Sequence, residues 1–558
     1  MVLPVRFRIL LWSLLSGVLW ALAWPAVGGL APLALIAWLP LLHAERLHDG
    51  RGTTRAFVPY VLPAVFLWNV TCSWWFYGVS EPLATKLVSV IAPVVVNTLL
   101  MTLPWWLKRI VRRSVGTREA GYGFILFWLA YERLHHAWDL QWPWFSIGNV
   151  FANDPSLIQW YSVTGMLGGT LWVLVVNLLL DGIIAGRSGL ADRRTQRLRI
   201  IALVSILVLP ITASLWRYHT HVEEGRPVEV VVVQPNIDPY SEKFGGVDPL
   251  QQLDDMLALA ASRTTERTAL VVMPETALQE PFNVDLSGPV PELYGLWEND
   301  LSSSRSAQRI RAFQLDHPGV AVITGMSSAF LFPRDAELPL TARALGQSGY
   351  FYESYNAAMF LPSAGPIEQY HKSKLVTGAE AMPFRRVLGS LEHLALDLGG
   401  TTGSLGQQSE RSVLRDPTTT IAVVPTICYE SVFGEHVAAH VRNGGNLIAI
   451  MTNDAWWGDT PGYKQHLSFA RIRAIETRRA IARSANTGIS CFVDQRGDLH
   501  ELTEWWVPDA RRRDVYLNER ITWFVRYGDV IGRTAVLFAP LLLLLAIVRG
   551  IRGLSGRR

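Results

Sequence analysis

Three short runs carry side chains able to act on a carbonyl. "VVMPE" ends on Glu275, "QYHKSKLV" contains Lys372, and "TICYES" contains Cys428 followed by Tyr429 and Glu430. A cysteine reacts as its thiolate, so a catalytic one needs a proton acceptor or a cationic neighbour. No histidine adjoins Cys428 in sequence, although His371, His436 and His466 can approach it in the folded chain. A carboxylate can take the proton where burial raises its pKa toward neutrality. Glu275 fits, because an apolar run delivers it and Pro274 stiffens the backbone before it. Lys372 supplies a fixed positive charge able to favour a thiolate and to hold an oxyanion. Each run also has an ordinary reading: an exposed carboxylate, a solvated basic loop and a packed thiol. Cys72 and Cys491 lie inside apolar runs and read as inert packing, and three cysteines do not make a disulfide framework.

These residues sit at the ends of β-rich runs. The runs cover 228–237, 268–275, 319–328, 356–362, 420–430, 446–454 and 488–497, with helical stretches at 248–262, 305–314 and 464–484. Near-continuous apolar strands predict a sheet buried on both faces, and the class is α/β. Glu275, Cys428 and the pair Asn453-Asp454 follow strand ends, where ligand sites of open α/β sheets form.

The rest of the chain is not that of an ordinary soluble enzyme. Half of its 558 residues are hydrophobic and 22 are tryptophan, with a mean hydropathy of +0.20. A bilayer core requires about 20 apolar residues in a helix. Eight candidate spans follow, at 7–24, 28–43, 57–77, 87–107, 120–135, 160–186, 199–216 and 530–548. Arginine and lysine cluster before span one and after spans two, four, six and eight, while the alternate connections "PAVGG" and "YGVSEPLATK" carry almost none. That alternation predicts both termini in the cytoplasm and residues 217–529 on the outer side, which in a bacterium is the periplasm. Arg6 and Arg8 before an apolar stretch ending Ala21-Leu22-Ala23 also read as a cleavable signal peptide, which would leave that topology unchanged. Trp138, Trp142, Trp144 and Trp160 read either as an interfacial belt or as a wall guiding a lipid. The net charge of +4 is modest and dispersed, so no nucleic-acid partner is expected.

The order Glu275, Lys372, Cys428 resembles the Glu–Lys–Cys triad of the nitrilase superfamily. With eight spans and the soluble region between spans seven and eight, the whole chain resembles the apolipoprotein N-acyltransferase family. The supporting stretches are "VVQPNI", "MPETA", "YHKSKLV", "ICYES", "TNDAWWGDTPGYKQH" and "ARIRAIETRRAIARSANTGIS". The resemblance implies an α-β-β-α nitrilase-like sandwich (217–529) inserted in an eight-helix transmembrane domain (1–216 and 530–558). It implies Glu275 as general base, Lys372 as oxyanion stabiliser and Cys428 as nucleophile, with Glu380, Tyr429 and Glu430 in support. The implied donor is a phospholipid and the implied acceptor a diacylglyceryl apolipoprotein, in the inner membrane with the catalytic domain periplasmic. The chain departs from the family pattern at Met273, where tryptophan is common, at Val376-Thr377-Gly378-Ala379 before Glu380, and at Phe244, also commonly tryptophan.

A thioester waiting for its acceptor needs an apolar cover, and Phe244, Trp456 and Trp457 are the candidates, with core packing as the alternative. Arg471, Arg473, Arg478, Arg479 and Arg483 in the 464–484 stretch read as salt bridges with Glu476 and a solvated face, or as headgroup contacts. No phosphate loop or spaced metal-ligand set stands out, so neither cofactor nor metal is expected. Two rival classes remain: a membrane-tethered amidase that passes the acyl group to water, and a transporter or receptor with an external sensor domain, which would need ionisable residues within its spans.

Overall fold

The computed structural model describes residues 3–49, 57–80, 82–186, 192–243, 246–281, 295–388 and 404–555. The chain divides into two units: Met1–Tyr77, Lys86–His221 and Tyr527–Arg558 make one, and Gly78–Thr85 with Val222–Arg526 the other.

Among the described residues, five helices are long and apolar enough to cross a bilayer: Val5–Ala23, Leu83–Ser114, Met166–Ala185, Arg193–Thr220 and Val530–Arg552. Sequences rich in Leu, Ile and Val supply the apolar surface, and most backbone groups are satisfied within each helix, with Pro93, Pro104, Pro210 and Pro540 lying inside three of them. The 57–77 and 120–135 stretches form shorter helices, Val58–Ser73 and Thr117–Leu134. The 28–43 stretch is not a single helix. It gives a 3₁₀ turn, Ala31–Leu35, and then the helix Leu39–Asp49, because Gly28-Gly29, Pro32 and Pro40 interrupt the regular ladder. The 160–186 stretch breaks at Gly165, whose φ of +67° no continuous helix allows.

The interior of this unit is aromatic. Trp20 stacks on Trp68 at 4.5 Å, and Trp38 meets Trp20, Trp105 and Trp128 edge-on at 5.0–5.4 Å. Trp144 is buried as well, with Trp142 stacked on it, so at least one of the supposed belt tryptophans is interior packing. Three of this unit's carboxylates have fixed hydrogen-bond or ion-pair partners. Glu132 accepts from Trp128 Nε1 and Ile147 N, each at 2.8 Å, and from Thr170 Oγ1 at 2.7 Å. Asp181 pairs with Arg46, and Glu45 with Lys108 and Arg109.

The second unit contains two sheets. In the first, the order is Asp509–Leu517, Arg226–Gln234, Thr268–Val272, Ala321–Leu331, Phe351–Leu361 and Arg343–Ala344, with Glu368–His371 paired to Phe351–Leu361. In the second, it is Leu499–His500, Cys491–Val493, Ile481–Ala485, Leu447–Thr452, Ala422–Ile427 and Leu414–Arg415. The central strands are parallel. One hydrophobic cluster joins the sheets face to face, with Val230, Val232, Val272 and Ile323 from the first meeting Val423, Ile427, Ala449 and Met451 from the second. The outer face of the first sheet is covered by the helices Pro249–Ala261 and Arg305–Asp316. Gly434–Arg442 and Pro461–Thr477 cover that of the second. The result is the four-layer α-β-β-α arrangement. Strands sandwiched on both sides must be apolar throughout, which is why they read as continuous runs; each fully buried Val or Ile contributes roughly 1.5–3 kcal/mol.

Three details depart from the expected elements. The 464–484 stretch is a helix only to Thr477. Arg478 then turns with φ +53°, and Ile481–Ala485 is a central strand. The strand Asp509–Leu517 is not among the expected runs, yet it pairs along the full length of Arg226–Gln234 as an edge strand. Pro425 sits within Ala422–Ile427, opposite Ala449 on one side, while the pairing with Leu414–Arg415 on the other side stops at Val423. The missing N–H therefore falls where no ladder partner needs it.

Candidate active site

Glu275 follows the strand Thr268–Val272. The neighbouring strand holds its turn by main-chain bonds, Met273 N to Ile323 O at 2.9 Å and Gly325 N to Pro274 O at 3.0 Å. An added Cβ at Gly325 would lie 2.6 Å from the Glu275 Cα and 2.5 Å from Thr276 N, so glycine is required there for the strands to approach. Thr276 itself is left-handed, with φ +46°. Lys372 follows the strand Glu368–His371, with its N–H on Asn356 O at 2.9 Å.

These residues meet. Lys372 Nζ donates to Glu275 Oε1 at 3.0 Å and to Glu380 Oε1 at 2.8 Å. Asn356 Nδ2 donates to the same two oxygens, each at 2.8 Å. Asn453 N reaches the other Glu275 oxygen at 3.1 Å, and Val376 N the other Glu380 oxygen at 2.8 Å. Burial alone would lower the Lys372 pKa, but the carboxylates of Glu275 and Glu380 outweigh it and hold the ammonium well above its usual range. Lys372 is thus a permanent cation. A deeply buried lysine without such partners would neutralise.

Cys428 comes at the end of Ala422–Ile427, in the opposite sheet, with φ +47°. For a non-glycine residue this is a strained conformation, of the kind that clusters at functional sites. The residue as a whole is 7% exposed. Burial pushes the thiol pKa well up, the Glu275 charge adds to that, and Lys372 and a hydrogen bond from Thr452 work against it. At rest the proton therefore stays on sulfur, beside a carboxylate able to accept it and a cation able to offset the new charge.

The other expected residues are distributed as follows. Tyr429 is buried edge-on against Phe433 at 5.0 Å. Glu430 has a different job from the triad. It accepts from Tyr370 OH at 2.6 Å, Ser373 N at 2.7 Å, Ile427 N at 2.8 Å and Lys374 N at 3.2 Å. Burial opposes its ionisation, but His436, Ile427 and Tyr370 outweigh it and hold the carboxyl down at about 2. Glu430 so ties the cysteine turn to the lysine loop. Trp456 is buried, with its carbonyl accepting from Tyr240 OH at 3.0 Å and its ring edge-on to Tyr240 at 5.3 Å. Trp457 is partly exposed. Phe244 lies outside the described residues.

Of the three histidines able to approach Cys428, His371 pairs with Glu298 and His436 with Glu430, while His466 Nε2 reaches the Cys428 carbonyl at 3.0 Å. The arginines expected on a solvated face are largely interior: Arg473, Arg478, Arg479 and Arg483 are all buried. Arg473 does pair with Glu476 at 2.9 Å. Arg483 instead pairs with Asp454 at 2.7 Å, and Arg479 donates to the Gly445 and Arg520 carbonyls.

Sequence reasoning missed Asn356 and Lys243. Asn356 was visible only as the first residue of an apolar run. Lys243 is buried, with Nζ on Glu275 O at 3.1 Å and Thr276 Oγ1 at 2.6 Å, and nothing in its loop composition marks it.

Two family models and many relatives match this chain. A family model described as the apolipoprotein N-acyltransferase N-terminal domain matches residues 16–179, and one described as carbon-nitrogen hydrolase matches residues 230–515. The apolipoprotein N-acyltransferase of Chlorobaculum tepidum is 30% identical over 96% of this chain and 96% of its own. That of Geobacter metallireducens is 28% identical over 97% of this chain and 95% of its own. Among solved structures, an amidase from Nesterenkonia sp. aligns at 16% identity with a TM-score of 0.34, covering 53% of this chain and 93% of that one.

Proposed function

The chain belongs to the apolipoprotein N-acyltransferase family, and on that premise we propose that Cys428, Glu275 and Lys372 carry its acyl transfer. The enzyme is an acyltransferase that N-acylates lipoproteins. The observation that carries the residue assignment is Lys372 Nζ held between Glu275 and Glu380 while its charge and that of Glu275 both act on the Cys428 thiol.

In the first half-reaction Glu275 takes the thiol proton as the sulfur attacks an ester carbonyl of a membrane phospholipid. The transfer neutralises Glu275 at the moment the sulfur would otherwise face a neighbouring anion, so the repulsion that raises the thiol pKa disappears. Lys372 and the Tyr429 N–H face the negative charge that develops on the carbonyl oxygen; one such donor is worth about 3 kcal/mol of barrier. The C–O bond breaks, Glu275 returns its proton to the leaving oxygen, and a lysophospholipid departs. In the second half-reaction the α-amino group of the diacylglyceryl-cysteine attacks the thioester and gives up a proton to Glu275. The C–S bond breaks and the sulfur regains that proton, leaving an amide. Glu380 and Asn356 keep Lys372 and Glu275 in register throughout, and Trp456 and Trp457 cover the waiting thioester.

We place the enzyme in the inner membrane, with residues 217–529 as a periplasmic domain between spans seven and eight of an eight-span region. The alternation of basic connections supports this. A site at the outer leaflet spares both substrates extraction, which costs roughly 0.8 kcal/mol per buried methylene.

Intact-mass analysis after incubation with phospholipid micelles tests the assignment. An acyl adduct is expected on wild type, lost on adding a diacylglyceryl lipopeptide and absent from Cys428→Ala. An adduct that persists in Cys428→Ala would refute it, and free fatty acid without amide product would favour the amidase reading.

A further inference from the structure

The nucleophile's own carbonyl is held by a buried network that the triad chemistry does not use. The Cys428 oxygen accepts from Ser431 Oγ at 2.8 Å and lies 3.0 Å from His466 Nε2, which is also 2.8 Å from Ser431 Oγ. His466 Nδ1 lies 3.2 Å from Asp454 Oδ1 and 3.3 Å from Arg483 Nη2, and Arg483 holds the other Asp454 oxygen at 2.7 Å. Thr452 Oγ1 lies 3.1 Å from Asp454 Oδ1. Ser431, Thr452, Asp454, His466 and Arg483 are all buried to within 1% of full burial. With the Ser431 hydroxyl proton directed at the Cys428 carbonyl, both oxygens facing Nε2 accept from it and His466 carries its proton there. As imidazolium it also donates Nδ1–H to Asp454; as the neutral ring its Nδ1 accepts from Arg483. The opposite tautomer, with Nδ1–H on Asp454 and Nε2 accepting from Ser431, would take both donors off the carbonyl.

The peptide group supplies the functional link. The Cys428 C=O and the Tyr429 N–H are two ends of one planar trans unit and point in opposite directions. Drawing the carbonyl toward His466 and Ser431 turns the Tyr429 N–H away from them. Hydrogen bonds to the carbonyl also polarise that N–H. The strained φ of +47° at Cys428 needs a surrounding that over-determines it, and this grip is such a surrounding.

We propose that His466, clamped between Asp454 and Arg483, is a positioning residue for acyl transfer: by gripping the Cys428 carbonyl it fixes the Cys428–Tyr429 peptide plane so that the Tyr429 N–H meets the developing oxyanion. The inference rests on Cys428 being the nucleophile. It separates two reactions of the same sulfur. Acylation by a phospholipid ester passes through an oxyanion; alkylation by iodoacetamide is a direct displacement and does not.

The test measures both rates by mass spectrometry on the full-length protein, in mixed micelles of phosphatidylethanolamine and phosphatidylglycerol. In His466→Leu the acyl adduct should form roughly ten- to a hundred-fold more slowly than in wild type, with alkylation of Cys428 within about two-fold of wild type. His466→Gln keeps a side-chain donor and should recover part of the acylation rate. Ser431→Ala, which removes the second donor and carries little folding risk, should show the same divergence on a smaller scale. Equal losses in both reactions, or no loss in acylation, would overturn the proposal. If wild type and Cys428→Ala give the same adducts, the assignment of Cys428 fails instead, a result distinct from either.

Discussion

Lys243 places an ammonium directly behind the proposed general base. Burial pushes its pKa down from 10.5 to about 8, and the Glu275 charge opposes that only in part. Between about pH 8 and 10.5 the unfolded chain therefore binds a proton that the folded one has released. Stability rises with pH wherever the unfolded state binds more protons, so this group's contribution is lowest below pH 8 and climbs across that window. Lys243→Met removes the titration and keeps the length of the side chain. The melting temperature of wild type relative to Lys243→Met should rise between pH 7.5 and pH 9.5. Parallel curves would show that folding does not lower the Lys243 pKa. Glu430 behaves oppositely: its carboxyl, held down at about 2, contributes stability that is present above its unfolded value and lost as acid approaches that figure.

At the scale of elements, the site depends on how closely two strands of one sheet can approach. Gly325 faces the Pro274–Glu275–Thr276 backbone, where an added Cβ would lie 2.5–2.7 Å from three main-chain atoms. Those atoms cannot swing aside as a flexible side chain can. Gly325→Ala should therefore displace Glu275 from Lys372 and slow acyl-adduct formation by at least about ten-fold, since misplacement of a reacting group by about 1 Å can cost a hundred-fold. Overpacking should also cost about 1–3 kcal/mol of stability. Wild-type acylation in Gly325→Ala would show that the turn tolerates movement. A second consequence concerns the segment after Thr477. Arg478 caps the helix with its side chain inward, donating to Gln495 O at 2.8 Å, and Arg483 enters the sheet beside Asp454. The turn at Arg478 thus delivers the clamp on His466.

For the whole molecule, the proposed topology can be read with a single introduced thiol. Cys72, Cys428 and Cys491 are all buried, so the background toward a bulky maleimide is low. Leu315, 82% exposed on the helix Arg305–Asp316, lies in the region proposed to be periplasmic. Leu315→Cys should be labelled by a membrane-impermeant maleimide in intact spheroplasts, to the same extent as after permeabilisation. Labelling only after permeabilisation would put the domain in the cytoplasm. The paired state of Glu132, Asp181 and Glu45 agrees with a structural rather than a transporting role for the helical unit, because a transport pathway needs ionisable groups free to exchange partners.

Composition and local pattern alone determined the two-part character of the chain, the α/β class and the strand-end positions of Glu275 and Cys428, because burial on both faces forces apolar runs and punctuates them with polar ends. The order of Glu275, Lys372 and Cys428 pointed to the family for the same local reason: each sits in a short motif. Only the folded chain decided which polar groups share a neighbour. Asn356 lies 81 positions from Glu275, Lys243 lies 32 away and His466 lies 38 from Cys428. A hydrogen bond is set by distance in space, and no period or composition along the chain encodes it. The arginine-rich stretch was legible only in part for that reason: the pairing of Arg473 with Glu476 is local and forms, whereas the expected solvated face does not. Arg478, Arg479 and Arg483 look solvated when their partners are not in view, and become interior once Asp454 and the carbonyls of Gly445 and Gln495 are packed against them.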